Sequence, residues 1–168
     1  LVCGGGRWPW IDQGDLEWVV RHLQSAGIGL MQSVTTPQIQ GLNPSGFREA
    51  LIQGQSHEQI LPQYARALGA WDWYAINRER ELAITTRTME YLYLGLPVIY
   101  QSRMELAEMI HREHLGILIE HPDQLRSIHD LGGTLRRIRD GLVHGVHHLL
   151  DVDRHVFRLT DYLTRAGS

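Results

Sequence analysis

Apolar positions along the chain switch between helical and strand spacing, and the switches outline its elements. Leu1–Cys3 is a short apolar strand closed by Gly4-Gly5-Gly6. From Asp15 to Ala26 the residues Leu16, Val19, Val20 and Leu23 recur at the spacing of an amphipathic helix. Asp12 or Asp15 can cap its start and Gly27 ends it. Ile28–Val34 predicts a second strand, so the chain opens as a βαβ unit with a right-handed crossover expected. Pro37, Gly41, Pro44, Gly46 and Gly54 then interrupt Thr35–Ser56, where only a short helix over Phe47–Ile52 is expected. Periodicity returns at His57–Leu68: Ile60, Leu61, Tyr64, Ala65 and Leu68 share a face, with Pro62 either kinking the helix or marking its start.

The stretch from Trp71 to Gln101 organises the rest. Trp71–Ile76 is apolar and aromatic, as a buried strand would be, and Asn77–Leu82 is a charged loop. Thr85 or Thr86 suits an N-cap, and Thr86–Leu94 reads as a helix stopped by Gly95 and Pro97. Pro97–Tyr100 begins the next strand. Further on, the pattern predicts a helix over Met104–His114, a strand over Gly116–Glu120 and a helix over Leu125–Ile138 interrupted at Gly132-Gly133. A last helical stretch follows over Asp140–Arg165. This alternation predicts an α/β fold: a Rossmann-like parallel sheet with helices on both faces.

Strand, polar loop, helix, Gly-x-Pro, strand is a pattern with chemical consequences. In a parallel sheet, ligands bind at loops leaving the strands' carboxyl ends. A helix N-terminus there offers free N–H groups and partial positive charge to an anion. Arg87 lies in the first turn, and Glu90 is one turn on, sharing a face with Arg87 and Thr86. An anion site and a carboxylate able to accept hydroxyl hydrogen bonds thus lie side by side, which is what a nucleotide-sugar's diphosphate and ribose require. The plainer reading is a surface ion pair worth a few tenths of a kcal/mol. At the chain's start, the glycines let backbone approach a ligand closely, with Arg7 beside them for phosphates; a plain flexible turn explains them equally. Trp8 and Trp10 either pack or line a cleft, packing being the simpler use of an indole.

Arg87, Thr88, Met89, Glu90, Tyr91, Leu92, Gly95, Pro97, Val98 and Ile99 resemble the donor-binding signature of retaining glycosyltransferases of the GT-B fold, glycosyltransferase family 4 type. There a basic residue, two further residues and Glu-Tyr-Leu lead into Gly-x-Pro-Val-Ile. The resemblance implies that Glu90 holds the ribose hydroxyls. It also implies an earlier glutamate touching the donor sugar, but the usual spacing falls on Leu82, with Glu79 and Glu81 nearest. The run from Asn77 to Thr88 looks like a subset with a longer acidic-arginine loop, which favours Glu79. Gly4–Asp12 is similar to the first strand and glycine loop of the same domain, and Glu105–Ile110, Leu115–Ile119 and Pro122-Asp123 match its closing rhythm. On this resemblance Glu79 and Arg87 are the expected catalytic residues. Gly5, Gly6, Arg7, Thr85, Thr86, Arg87 and Glu90 are the expected donor-nucleotide contacts. The reaction would retain anomeric configuration and use a nucleoside diphosphate sugar as donor, with no metal and no cofactor.

Composition narrows the alternatives. At 168 residues there is room for one Rossmann-like domain but not for the two of a GT-B enzyme. The chain also begins at Leu1 on a strand already under way. The expectation is therefore a single donor-nucleotide-binding domain over residues 1–168, the C-terminal part of a two-domain enzyme whose acceptor-binding N-terminal domain is missing; alone, it would bind but not catalyse. A net charge of −3 gives no nucleic-acid footprint. The single cysteine, Cys3, allows no internal disulfide and fits a reducing, cytoplasmic setting. No run is long enough to span a membrane, which leaves open a peripheral association of the parent enzyme with the membrane's inner face. The sequence has no lysine, so a P-loop and lysine Schiff-base chemistry are excluded, and arginine is the fixed cation left for phosphate. No Gly-x-Ser-x-Gly elbow is present. His144, His147, His148 and His155 cluster without a His-Glu-x-x-His pattern or a cysteine partner, and solvated histidines explain them better than a metal. The alternative from a different class is a non-catalytic Rossmann-like interaction module using its Trp and Tyr residues at an interface. Burial of Trp71, Trp73 and Tyr74 in the sheet would count against it, and a contiguous exposed patch would favour it. A third reading, a sugar-phosphate epimerase or nucleotide-processing enzyme, needs a Tyr/Lys pair or a metal.

Overall fold

The computed structural model describes residues 1–3, 18, 21–34, 51–53, 56–73 and 86–142. Among them six strands form one sheet: β1 (Val2–Cys3), β2 (Met31–Val34), β3 (Leu51–Gln53), β4 (Ala70–Asp72), β5 (Val98–Gln101) and β6 (Gly116–Ile119). Their spatial order is β3-β2-β1-β4-β5-β6, and every neighbouring pair is parallel. The chain runs outward from β1 to β3, then returns to lay β4 against the other side of β1. That reversal is the switch point of a doubly wound sheet, and the carboxyl ends of β1 and β4 beside it are where sheets of this kind bind ligands.

The described helices are α1 (His57–Arg66), α2 (Thr86–Tyr93), α3 (Ala107–Arg112) and α4 (Leu131–Leu142), with a 3-10 turn over Pro122–Ser127. Residues 21–25 are also helical. At the start of α1 the Ser56 N–H donates to Gln59 Oε1 at 3.0 Å, satisfying an orphan donor, and Pro62 lies inside the helix rather than at its start. α2 ends in a Schellman motif: Gly95 N–H donates to Leu92 O and Leu96 N–H to Tyr91 O, both at 2.9 Å. Gly95 takes φ 70°, which a side chain would strain. Arg139 of α4 donates to the carbonyls of Ala65 and Ala67 and so caps the far end of α1.

Alternation along the strands sends side chains to two cores, one per face. Ala70, Val98 and Tyr100 join Ile60, Tyr64, Tyr91, Leu92, Leu106 and Ile110. Trp71, Trp73, Ile99 and Ile119 join Leu1, Leu23, Leu30, Leu125, Leu131 and Leu135 on the other face. Both faces of the sheet are thus covered, as a parallel sheet requires.

Two expectations are corrected. Leu51–Gln53 is not the end of a helix but an edge strand, registered with Gln32, Ser33 and Val34 of β2. A short apolar run fits either state locally, and pairing with β2 decides it. The helix expected over Leu125–Ile138 begins only at Leu131. Gly132 and Gly133 do not interrupt it but form its first turn, where Asp130 Oδ1 accepts the Gly133 N–H at 2.8 Å. A carboxylate cap outweighs the poor helix propensity of the pair. No helix among the described residues is long and apolar enough to cross a membrane.

Candidate functional site

β4 ends at Asp72, and α2 begins at Thr86 and runs back to deliver β5, so the N-terminus of α2 lies at the carboxyl edge of the sheet. Leu92, Tyr91 and Thr88 are fully buried against the sheet. With each residue turning about 100° around a helix, Arg87 and Glu90 lie about 100° and 160° round from Thr88, on the same side. Thr86 falls within about 40° of Glu90. Thr86 is exposed, while Arg87 and Glu90 are half-buried. Glu90 carries a buried oxygen, Oε1. The three residues singled out from the sequence therefore share one flank of α2, away from the fully buried Thr88, Tyr91 and Leu92. Thr85, Glu79, Gly5, Gly6 and Arg7 lie outside the described residues, as does the histidine cluster beyond residue 142. β1 and β4 pair in parallel through Val2 and Ala70, so the two strands end side by side at one edge of the sheet.

Beneath α2 lies a buried polar group that the sequence reading passed over. Asp72 is 2% exposed, and the Thr88 hydroxyl, fully buried, donates to its Oδ2. Tyr100 stands opposite Asp72 on β5 and is also buried. Burial pushes its phenol well above the ordinary tyrosine range, and the nearby Asp72 carboxylate pushes the same way. A lone aspartate in an aromatic strand was the available signal, because a carboxylate placed there requires a partner.

Trp71 and Trp73 are buried and stack on each other, ring centroids 5.7 Å apart. They form no exposed aromatic patch, which removes the main support for an interaction module; Tyr74 lies outside the described residues. Among the described residues no group of three or more His, Cys, Asp or Glu side chains is placed to hold a metal ion.

A sheet in this order, covered on both faces, is Rossmann-like, and its likeness to solved structures makes it one half of a GT-B fold. Solved structures that match it include glycosyltransferases. A mutant O-GlcNAc transferase from Thermobaculum terrenum matches with TM-score 0.60 and 18% identity, over 98% of this chain and 35% of that one. WaaG, a glycosyltransferase involved in lipopolysaccharide biosynthesis, matches with TM-score 0.62 and 13% identity, over 90% and 42%. A sucrose-phosphate synthase from Thermosynechococcus elongatus matches with TM-score 0.54 and 15% identity, over 98% and 45%. The chain thus spans less than half the length of each of these structures. No family model and no curated protein matches the sequence.

Proposed function

We propose that this chain is the donor-nucleotide-binding domain of a glycosyltransferase, taking a nucleoside diphosphate sugar and working with an acceptor-binding domain. One observation carries the reading: α2 starts at the carboxyl edge beside the switch point and carries Thr86, Arg87 and Glu90 on one flank. The fold likeness to glycosyltransferases supports it at the level of architecture.

In this reading the α2 N-terminus and Arg87, with Arg7 and the backbone at Gly5 and Gly6, receive the diphosphate. Their positive charge stabilises it as negative charge grows on the departing phosphate. Glu90 accepts hydrogen bonds from the ribose hydroxyls, Thr85 and Thr86 complete the anion site, and Glu79 orients the sugar. The acceptor is held elsewhere, so the chain alone binds without turnover.

Titration calorimetry with UDP, GDP and ADP tests this. One of the three should bind. A double Arg87→Ala, Glu90→Ala variant removes two charge-assisted contacts, each worth roughly 1.5–3 kcal/mol, so its affinity should drop about 100-fold or more. Absence of binding by all three, or equal affinity in the double variant, rejects the assignment.

A further inference from the structure

We infer that Asp72 is a positioning residue for the donor site: by accepting the Thr88 hydroxyl it sets the rotation of α2 and with it where Arg87 and Glu90 stand. This deepens the donor-binding reading and rests on it.

Thr88 follows Arg87 directly and precedes Glu90 by two residues, so nothing flexible separates the anchored residue from the proposed contacts. Turning α2 by one residue would carry both contacts round by about 100°. Hydrophobic packing of Tyr91 and Leu92 holds the helix down but resists small rotations weakly, because apolar contact is not directional. A hydrogen bond is directional, and this one joins the last residue of β4 to the first turn of α2. Both ends are inaccessible to water: Asp72 is 2% and Thr88 0% exposed. No competing water therefore loosens the anchor, and a buried carboxylate is costly to retain unless partnered. Tyr100, the Asp72 partner in the β4–β5 register, is buried as well. Apolar residues would pack this space more cheaply; a carboxylate and a hydroxyl add orientation.

The test compares wild type with Thr88→Val, which keeps the shape but removes the donor, with Thr88→Ser, which restores it, and with Asp72→Asn, which keeps an acceptor. Nucleoside diphosphate affinity is read by calorimetry, and amide exchange is read separately over residues 86–90 and 98–101. Thr88→Val should weaken the nucleotide about tenfold, equivalent to 1.4 kcal/mol. It should speed exchange over residues 86–90 while β5 stays protected, and Thr88→Ser should recover wild-type affinity. Unchanged affinity in Thr88→Val, no recovery in Thr88→Ser, or an affinity loss matched by loss of protection throughout β5 overturns the inference and leaves the donor reading standing. Where Thr88→Val fails to fold, Asp72→Asn decides. A neutral amide accepts the Thr88 hydroxyl more weakly than a carboxylate. Nucleotide affinity should therefore fall and exchange over residues 86–90 should quicken; wild-type affinity with wild-type exchange overturns the inference. Failure of the wild type to bind UDP, GDP or ADP sinks the donor reading and this inference together.

Discussion

Gly95 and Gly116 are both glycine for backbone reasons, but the reasons differ in size. A Cβ at Gly95 meets nothing within 4 Å, so alanine there costs only the strain of φ 70°, about 1–2 kcal/mol. A Cβ at Gly116 would overlap the Val98 carbonyl oxygen, which is held in the sheet. Relief requires β5 and β6 to separate, at a cost of about 3 kcal/mol or more, the upper range for overpacking. Gly116→Ala should therefore lower the urea midpoint clearly more than Gly95→Ala, with similar slopes in both. The reverse order would mean that the pairing relaxes easily. Gly95 was legible in the sequence because Gly-x-Pro after an amphipathic run is a local signal. Gly116 was not, because its requirement comes from a strand that lies elsewhere in the chain.

At the scale of elements, α2 was readable to within a residue, since cap, periodicity, Gly95 and Pro97 all agree. Elements decided by partners were not: β3 is set by β2, and α4 by the Asp130 cap. The polar seam between β4, β5 and α2 was likewise hidden, because sequence does not tell which residues of two strands stand opposite. That seam makes a testable pH dependence. The Tyr100 phenol is raised above its ordinary value of 10.0, mainly by burial and then by Asp72. The folded state therefore keeps its proton when the unfolded state begins to lose it. Stability on this account is full below about pH 10 and falls as pH rises toward the folded value. By pH 11 the loss from this one group should reach about 1.4 kcal/mol. Urea unfolding at pH 9, 10 and 11 should show this loss in the wild type and its removal in Tyr100→Phe. Parallel pH profiles for the two proteins would show that Tyr100 ionises freely in the fold.

For the whole molecule, the decisive property is the strand order, which no local pattern encodes. Alternating helices and strands announce a parallel sheet, but only the return of β4 to the side of β1 opposite β2 creates a crevice. Glycosyltransferase structures share the fold at 13–18% identity, so the fold likeness does not depend on close sequence likeness. The order then predicts where a ligand should be felt. A nucleoside diphosphate in the switch-point crevice touches what leaves β1 and β4, and it stabilises the fold by about 2.7 kcal/mol at a hundred times its Kd. Global stabilisation slows exchange everywhere that opens by full unfolding, but a local footprint needs direct contact. Amides over residues 86–90 and at the end of β4 should gain protection beyond that global increment. Those of β6, with β5 between it and β4, should gain only the increment. Exchange measured with and without saturating nucleotide separates the two. A footprint over β6 and α3 instead would place the ligand at the sheet's edge and sever the link between strand order and donor binding.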